Sequence, residues 1–483
     1  MKMLIDGEFV DSATGDTMDV LNPATEEVVD SVPKGGAEEA RQAIDSAERA
    51  FESGWWSSLY RSRERGRILW RFKDLVREKE DELARLLTLE QGKVLKESLS
   101  EVRSLQNTFE YYAGFGGKIR GDVAYIEDGQ NVLEVKNIKK PIGVCGAIVP
   151  FNFPLSLMAW KVAPALVAGN TVVLKPASST PLTDIRVVEL MQKAGVPKGV
   201  VNVVTGPSGT VGREIVENEK VRKVAFTGST ETGKSILRTA AKNIKKVTLE
   251  LGGSDPTIVC ESADLGLAAR TVASGRFRNA GQSCTAVKRV FVFENVLRDF
   301  LGKLREEVSK ITVGNGLEAG VEMGPVNNPE QRELTEGLVA DAVGRGARLL
   351  FGGKRPEGLN KGFFYEPTLL ADVPGESKIF REECFGPALP VTAVSGMDEA
   401  IAKANDTCYG LGAAIWTRDD GERTRAERDI RSGMLWVNYK PLSAPEAPFG
   451  GVKESGIGRE LGFEGLEEYL ETMSVRALHP PPA

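Results

Sequence analysis

Gly281-Gln282-Ser283-Cys284 places one cysteine in a loop of small and polar residues, preceded by Arg276-Phe277-Arg278-Asn279-Ala280. A thiolate in such an uncrowded loop is a nucleophile, and a helix N-terminus would stabilise it further. Nothing in the sequence places a helix start there. Upstream, Glu250-Leu251-Gly252-Gly253 ends an apolar run with a carboxylate. A carboxylate activates water near neutrality when burial raises its pKa. Further upstream, Pro150-Phe151-Asn152-Phe153-Pro154 frames an amide between prolines. A side-chain amide can donate to a developing oxyanion, worth roughly 3 kcal/mol. Thiol, carboxylate and amide together point to oxidation through a covalent thioester, provided a dinucleotide binds beside them. Each has a plainer reading alone: a buried structural cysteine, a solvated strand-end carboxylate, an Asx turn.

Composition narrows the chemistry. His479 is the only histidine, and it lies near the C-terminus in a proline-rich stretch. A Ser-His-Asp or Cys-His hydrolase needs an imidazole base in its core, so that class is disfavoured. Five cysteines, widely spaced and without a CxxC pair, indicate neither a disulfide framework nor a zinc cage. Cys145, Cys260, Cys384 and Cys408 read as buried structural thiols, and no metal site is expected. Net charge is −6 with both signs dispersed, without the clustered Lys/Arg of a nucleic-acid binder. Met1-Lys2-Met3-Leu4-Ile5-Asp6 meets charge too early for a signal-peptide core, and no apolar run would span a bilayer. The expectation is a cytoplasmic protein that binds neither nucleic acid nor membrane.

These residues must be positioned by elements readable along the chain. At roughly 150 residues per domain, 483 residues imply about three domains. Residues 4–33 read as short strands, with Asp6-Gly7 as a hairpin turn and Asn22-Pro23 as a second turn. Ala37, Ala40, Ile44, Ala47 and Phe51 recur on one helix face. One helix is expected over Arg63 to Leu89 and another to about Tyr112, stopped by glycines. Residues 122–140 read as an isolated hairpin, packed either on another subunit or within its own.

From Pro141 strands and helices alternate, which implies a mostly parallel sheet covered on both faces. Ligands bind beyond the carboxyl ends of such strands. Three strand ends matter here: Lys175-Pro176-Ala177-Ser178, a strand ending at Gly206, and Thr227-Gly228-Ser229-Thr230. Helix N-terminal amides with Ser229 can hold a pyrophosphate, and Lys175 with Ser178 would lie beside an adenosine ribose. Ordinary polar loops are the alternative. A second α/β unit begins near Pro256.

The chain resembles the NAD(P)-dependent aldehyde dehydrogenase superfamily almost from end to end. The stretches quoted above at 150–154, 175–178, 226–230, 250–253 and 281–284 carry the resemblance. Glu382-Glu383-Cys384-Phe385-Gly386-Pro387 and Pro448-Phe449-Gly450-Gly451-Val452-Lys453-Glu454-Ser455-Gly456 complete it. It implies two Rossmann-like parallel-sheet domains and a β-strand oligomerisation arm. These map to 1–121 with 141–252 for NAD(P), 253–465 for catalysis, and 122–140 with 466–483 for the arm, in which the 122–140 hairpin would pair with the C-terminal strand near 470–479. A homodimer or homotetramer is implied.

Position by position, the resemblance makes Cys284 the nucleophile, Asn152 and the Cys284 amide the oxyanion donors, and Glu250 the activator of water. Lys161 and Glu460 would surround this site. Val149, Pro150, Phe151, Lys175, Ser178, Gly206, Phe226, Gly228, Ser229, Leu251, Glu383 and Phe385 would contact the cofactor. Glu250 favours hydrolysis over transfer to coenzyme A, so a CoA-acylating enzyme is the disfavoured alternative. Ser178 stands where strict NAD users often carry Glu; with Lys175 beside it, NADP is expected to be accepted. On the substrate side the resemblance places Trp160, Arg278, Ser443 and Phe449. Arg278 and Ser443 match a succinate-semialdehyde carboxylate grip, whereas Trp160 replaces its second arginine. Cys284-Thr285-Ala286-Val287-Lys288-Arg289 is similar to non-phosphorylating glyceraldehyde-3-phosphate dehydrogenases, but Ser283 stands where those carry arginine. A small aldehyde with a carboxylate or hydroxyl follows: succinate semialdehyde, lactaldehyde or glyceraldehyde. A structural salt bridge is the alternative role for Arg278.

Overall fold

Asp6 and Gly7 both take positive φ (52° and 78°) and join strands Met3–Ile5 and Glu8–Val10 in an antiparallel hairpin. That is the primed turn an Asp-Gly pair favours. The structure, a computed structural model, describes residues 1–129 and 131–479. Among the described residues it is a mixed α/β fold of two large sheets and two small ones, of three and two strands.

The first sheet has eight strands. Five run parallel in the spatial order Lys246–Glu250, Val221–Thr227, Val144–Ile148, Thr171–Lys175, Val201–Val203. Val144–Ile148 and Thr171–Lys175 are buried along their whole length, as their unbroken apolar runs require. The N-terminal hairpin extends one edge antiparallel, and Gly456–Ile457 closes the other against Lys246–Glu250. So residues 456–457, far along the chain, complete the sheet that carries Glu250. Helix Pro154–Ala168 is buried on every side; its near-continuous apolar sequence leaves no face for water.

The second sheet has seven strands, in the order Arg348–Phe351, Thr368–Ala371, Ala388–Val394, Arg289–Phe293, Pro256–Val259, Gly412–Trp416, Met434–Val437. All neighbours are parallel except the edge strand Arg348–Phe351.

One expectation changes, and one that was open is met within this chain. The single helix read over Arg63 to Leu89 is two, Ser62–Glu78 and Glu80–Gln91, divided at Lys79 (φ −112°, ψ 15°). The break lets each segment turn its own stripe inward: Ile68, Leu69 and Phe72 from the first, Leu83 and Leu87 from the second. The next helix, Leu95–Ala113, packs against both. The 122–140 hairpin, strands Asp122–Asp128 and Asn131–Pro141, is not isolated within its subunit. The same chain's Leu470–His479 pairs antiparallel with it, from Leu470↔Pro141 to His479↔Val132. Asp122–Asp128 remains exposed throughout. Residues 130 and 480–483 of the expected arm lie outside the described residues. Among the described residues no helix is long and apolar enough to cross a membrane.

Candidate active site

Cys284 does not sit at a helix N-terminus. Helix Leu265–Phe277 ends just before it, and three consecutive residues, Asn279, Ala280 and Gly281, then take left-handed φ (51°, 51°, 76°). For Ala280 that conformation costs roughly 1–2 kcal/mol. At Gly281 any side chain would run into the Gly386 carbonyl. The loop is held by its neighbours. Asn279 Nδ2 donates to the carbonyl of Asn152 (2.8 Å), Gln282 Nε2 donates to the Asn279 carbonyl (3.0 Å), and Gln282 Oε1 accepts from Asn327 N–H (2.9 Å).

Asn152 reaches this loop from the end of strand Val144–Ile148. Its Nδ2 donates to the Gln282 carbonyl (3.1 Å), leaving its second N–H for a ligand oxygen. Glu250 is the last residue of strand Lys246–Glu250 and is 1% exposed. Both its carboxylate oxygens are buried without a well-formed hydrogen bond, although the Cys284 thiol stands near enough to interact with them. Burial, then the Glu460 charge, pushes the Glu250 carboxyl up to about 8. Lys161 Nζ donates to Glu460 Oε1 (2.6 Å) and to Thr227 Oγ1 (2.6 Å). The Cys284 thiol is itself raised well above its ordinary value by burial and by Glu250. A proton therefore rests easily on either group, and Glu250 can receive one near neutral pH.

The cofactor candidates fall into three clusters. Lys175, 1% exposed, donates to the Pro176 carbonyl (3.0 Å); burial pulls its ammonium down to about 8. Its remaining N–H groups suit a ligand oxygen. Ser178 Oγ donates weakly to the Gly206 carbonyl (3.4 Å), and Gly206 has φ 143° with no room for a side chain beside Gly35. Second, Ser229 caps helix Thr230–Ala240, accepting from Thr232 N–H (3.3 Å). Phe226 and Leu251 are buried behind it, and Gly228 N–H donates to the Glu250 carbonyl (3.1 Å). Third, Phe385 and Phe151 meet edge to face with centroids 6.0 Å apart, next to Glu383, whose Oε1 accepts from Gly253 N–H (3.1 Å). Val149 and Pro150 continue the strand that leads to Phe151. A buried cation, a capped helix end and a carboxylate are groups that fit the adenosine, pyrophosphate and ribose parts of a dinucleotide.

The thiol opens into a cavity of about 260 Å³. Trp160 and Phe449 pack there with ring centroids 4.7 Å apart and planes tilted by 55°, and Arg278, Ser443, Ser156 and Asn107 add polar groups. The Arg278 guanidinium stands 4.9 Å from the Phe153 ring centre. It also exerts the main electrostatic pull on Glu97, so part of its charge is matched within the fold. Arg103 lines the same cavity but is tied to Glu80 (2.7 Å).

Several residues of this site carry no local sequence signal. Lys93 Nζ donates to the Asn152 carbonyl (2.7 Å) and to Glu101 Oε2 (2.5 Å). Glu101 Oε1 caps helix Pro154–Ala168 by accepting from Leu155 and Ser156 N–H (3.0 and 3.2 Å). Glu97 accepts from Asn279 N–H (3.0 Å). Lys288 binds the cysteine loop from behind. Lys93, Glu101 and Lys288 are buried and Glu97 half-buried, so packing rather than local sequence reveals them. Cys145, Cys260 and Cys384 are buried as expected, but Cys408 is exposed, because it lies in the turn after helix Met397–Asn405.

Residues 9–475 match the family model described as Aldehyde dehydrogenase family. The chain is 44% identical to the betaine aldehyde dehydrogenase of Bacillus subtilis (strain 168), over 98% of its own length and 96% of that protein's. It is also 44% identical to the succinate-semialdehyde dehydrogenase (NADP(+)) GabD of Escherichia coli (strain K12), over 97% and 96%. Among solved structures it superimposes on an E. coli NADP dependent enzyme with a TM-score of 0.95 (43% identity, 99% and 98% covered). A betaine aldehyde dehydrogenase from Staphylococcus aureus in complex with NAD+ gives the same TM-score (41% identity, 100% and 95% covered).

Proposed function

Because the chain belongs to the aldehyde dehydrogenase family and is an NAD(P)-dependent oxidoreductase, we propose that it oxidises a small anionic or hydroxylated aldehyde to the free acid through Cys284. The observation that carries this reading is the convergence of Cys284, Asn152 and Glu250 at the end of a cavity bearing Arg278 and Ser443.

Cys284 Sγ adds to the aldehyde carbon as its thiol proton passes to water. The new oxyanion accepts from the free Asn152 Nδ2–H and the Cys284 backbone N–H. A bound nicotinamide supplies the hydride acceptor, and a thioester on Cys284 is left. Glu250 then takes a proton from water as the water oxygen bonds to the acyl carbon; the C–S bond breaks, Glu250 returns the proton to the Cys284 sulfur, and the acid leaves. Glu460 and Lys161 act on Glu250 in opposite senses, the one raising and the other lowering its pKa.

Among aldehydes named for the relatives, succinate semialdehyde and betaine aldehyde carry opposite charges. Arg278 on the cavity wall favours the anion, and the hydroxyl-bearing wall also suits glyceraldehyde or lactaldehyde. NADP is accepted in this reading: Ser178 places no carboxylate against a 2′-phosphate, and Lys175 can pair with one. The exposed strand Asp122–Asp128 suits a second copy of the chain, as a dimer or dimer of dimers, and a cytoplasmic setting belongs to the same reading. The test is reduction of each cofactor, followed by nicotinamide absorbance, with succinate, glutarate, lactic, glyceric and betaine aldehydes. An anionic or hydroxylated aldehyde should show the highest kcat/KM. A preference for betaine aldehyde would overturn the substrate reading, and a large preference for NAD the cofactor reading.

A further inference from the structure

Lys288 lies four residues beyond Cys284, just before strand Arg289–Phe293, and is 1% exposed. Its ammonium donates to the Gly253 carbonyl (2.7 Å), to the Cys284 carbonyl (2.9 Å) and to Glu383 Oε1 at short range. An ammonium has three donors, and all three are used. The acceptors come from three separate segments: the turn after Glu250, the nucleophile loop, and the loop carrying Glu383. The lysine backbone is fixed as well, with Lys288 and Arg289 N–H both donating to the Asp255 carbonyl (3.1 and 3.2 Å). The Phe385 ring centre lies 5.7 Å from Nζ.

We propose that Lys288 is a positioning residue: by gathering the Gly253 and Cys284 carbonyls and one Glu383 oxygen on a single cation, it keeps the Cys284 thiol reactive and aims the other Glu383 oxygen at the cofactor ribose. The inference rests on the reading of Cys284 as nucleophile and Glu383 as a cofactor contact.

The charges around the thiol give this a sign. Glu250 at the end of the first sheet and Asp255 at the start of strand Pro256–Val259 both oppose thiolate formation; Lys288 favours it. Glu383 stands behind Lys288 in an ion pair with it and offsets part of its charge. Removing the lysine charge therefore makes the thiol harder to ionise, whereas removing the Glu383 charge makes it easier. Loss of packing alone has no reason to move the two variants in opposite directions.

The experiment is alkylation by iodoacetamide, localised to Cys284 by mass spectrometry, as a function of pH and without cofactor. In Lys288→Met and Lys288→Gln the midpoint should rise by about one pH unit, slowing alkylation below the midpoint about tenfold. Lys288→Arg should recover the midpoint, and Glu383→Gln should lower it. Cofactor binding, followed by nicotinamide fluorescence, should weaken roughly fivefold or more in Lys288→Met. A midpoint in Lys288→Met that stays at the wild-type value overturns the proposal. Should both neutral variants fail to fold, the direction of the Glu383→Gln shift decides: downward supports it, no shift overturns it. Full turnover by enzyme whose Cys284 is alkylated would instead overturn the reading of Cys284.

Discussion

The two large sheets meet at the thiol from opposite ends. The first presents the carboxyl ends of its parallel strands: Ile148 leads to Asn152, Lys175 to Ser178, Thr227 to Ser229, and Glu250 is itself a strand end. The second presents amino ends: the Cys284 loop precedes Arg289–Phe293, and the Glu383 loop precedes Ala388–Val394. The rule that ligands lie beyond carboxyl ends thus describes only one of the two. Helix-start amides and capping side chains at carboxyl ends suit phosphate and developing oxyanions. The second sheet has none of these at Cys284, and supplies instead a left-handed loop pinned by Asn279, Gln282 and Lys288. In the proposed reading the first sheet stabilises charge that arrives or develops, and the second holds the atom that forms the covalent bond.

Substitutions on each side test this division. Cys284→Ala, on the second sheet, should cut turnover by roughly 10⁴-fold or more; a retained steady-state rate would remove the nucleophile from that side. Glu250→Gln, on the first, should lower the steady-state rate by roughly 10²–10⁴-fold while still allowing a burst of one reduced nicotinamide per site. The acyl-enzyme should then be visible by mass spectrometry, and absence of both burst and adduct would place Glu250 before the thioester. Asn152→Ala should reduce kcat by roughly 10²–10³-fold, with cofactor affinity measured alongside to show that the strand end is intact. Ser178→Glu should turn cofactor preference toward NAD by roughly tenfold or more, read as a ratio of kcat/KM values.

The smallest effect expected is on stability. Glu250 is raised to about 8, and Asp255 and Glu90 to about 7, in each case chiefly by burial. Within the window between their ordinary values and these raised ones, the folded chain keeps protons that the unfolded chain has released. Their stabilisation is therefore complete below about pH 4 and is lost as pH rises through 7 to 8. Tm should fall over that range by calorimetry, and Glu250→Gln should flatten part of the slope.

Much of this was legible in the chain. Alternating apolar strands and helices from Pro141 onward are local patterns, and they marked the parallel strands and the polar residues at their ends. Asp6-Gly7 gave its turn because a two-residue hairpin depends on those two φ angles alone. The absence of a core histidine directed attention to a carboxylate base, and Glu250 is buried beside the Cys284 thiol. Other features were not legible, since no local pattern encodes them. The break at Lys79 comes from packing two stripes on one core. The pairing of Leu470–His479 with Asn131–Pro141 joins distant segments, and it was the family resemblance, not a local pattern, that pointed to it. Lys93, in the loop before helix Leu95–Ala113, and Glu101, on that helix, are ordinary charges by local sequence until their contacts with Asn152 and the helix after it are seen.

What the sequence by itself determined is the kind of groups present and the strand ends that bear most of them, because residue type and hydrophobic period are properties of short stretches. What only the tertiary structure decided is which of those groups share one small volume, and how each ionises there. Glu250 holds a proton near neutrality because burial and Glu460 surround it. Lys288 ceases to be one cation among many because Gly253, Cys284 and Glu383 close on it from three segments. Desolvation and Coulomb interaction depend on distance in space, and distance in space is what packing the two sheets end against end supplies.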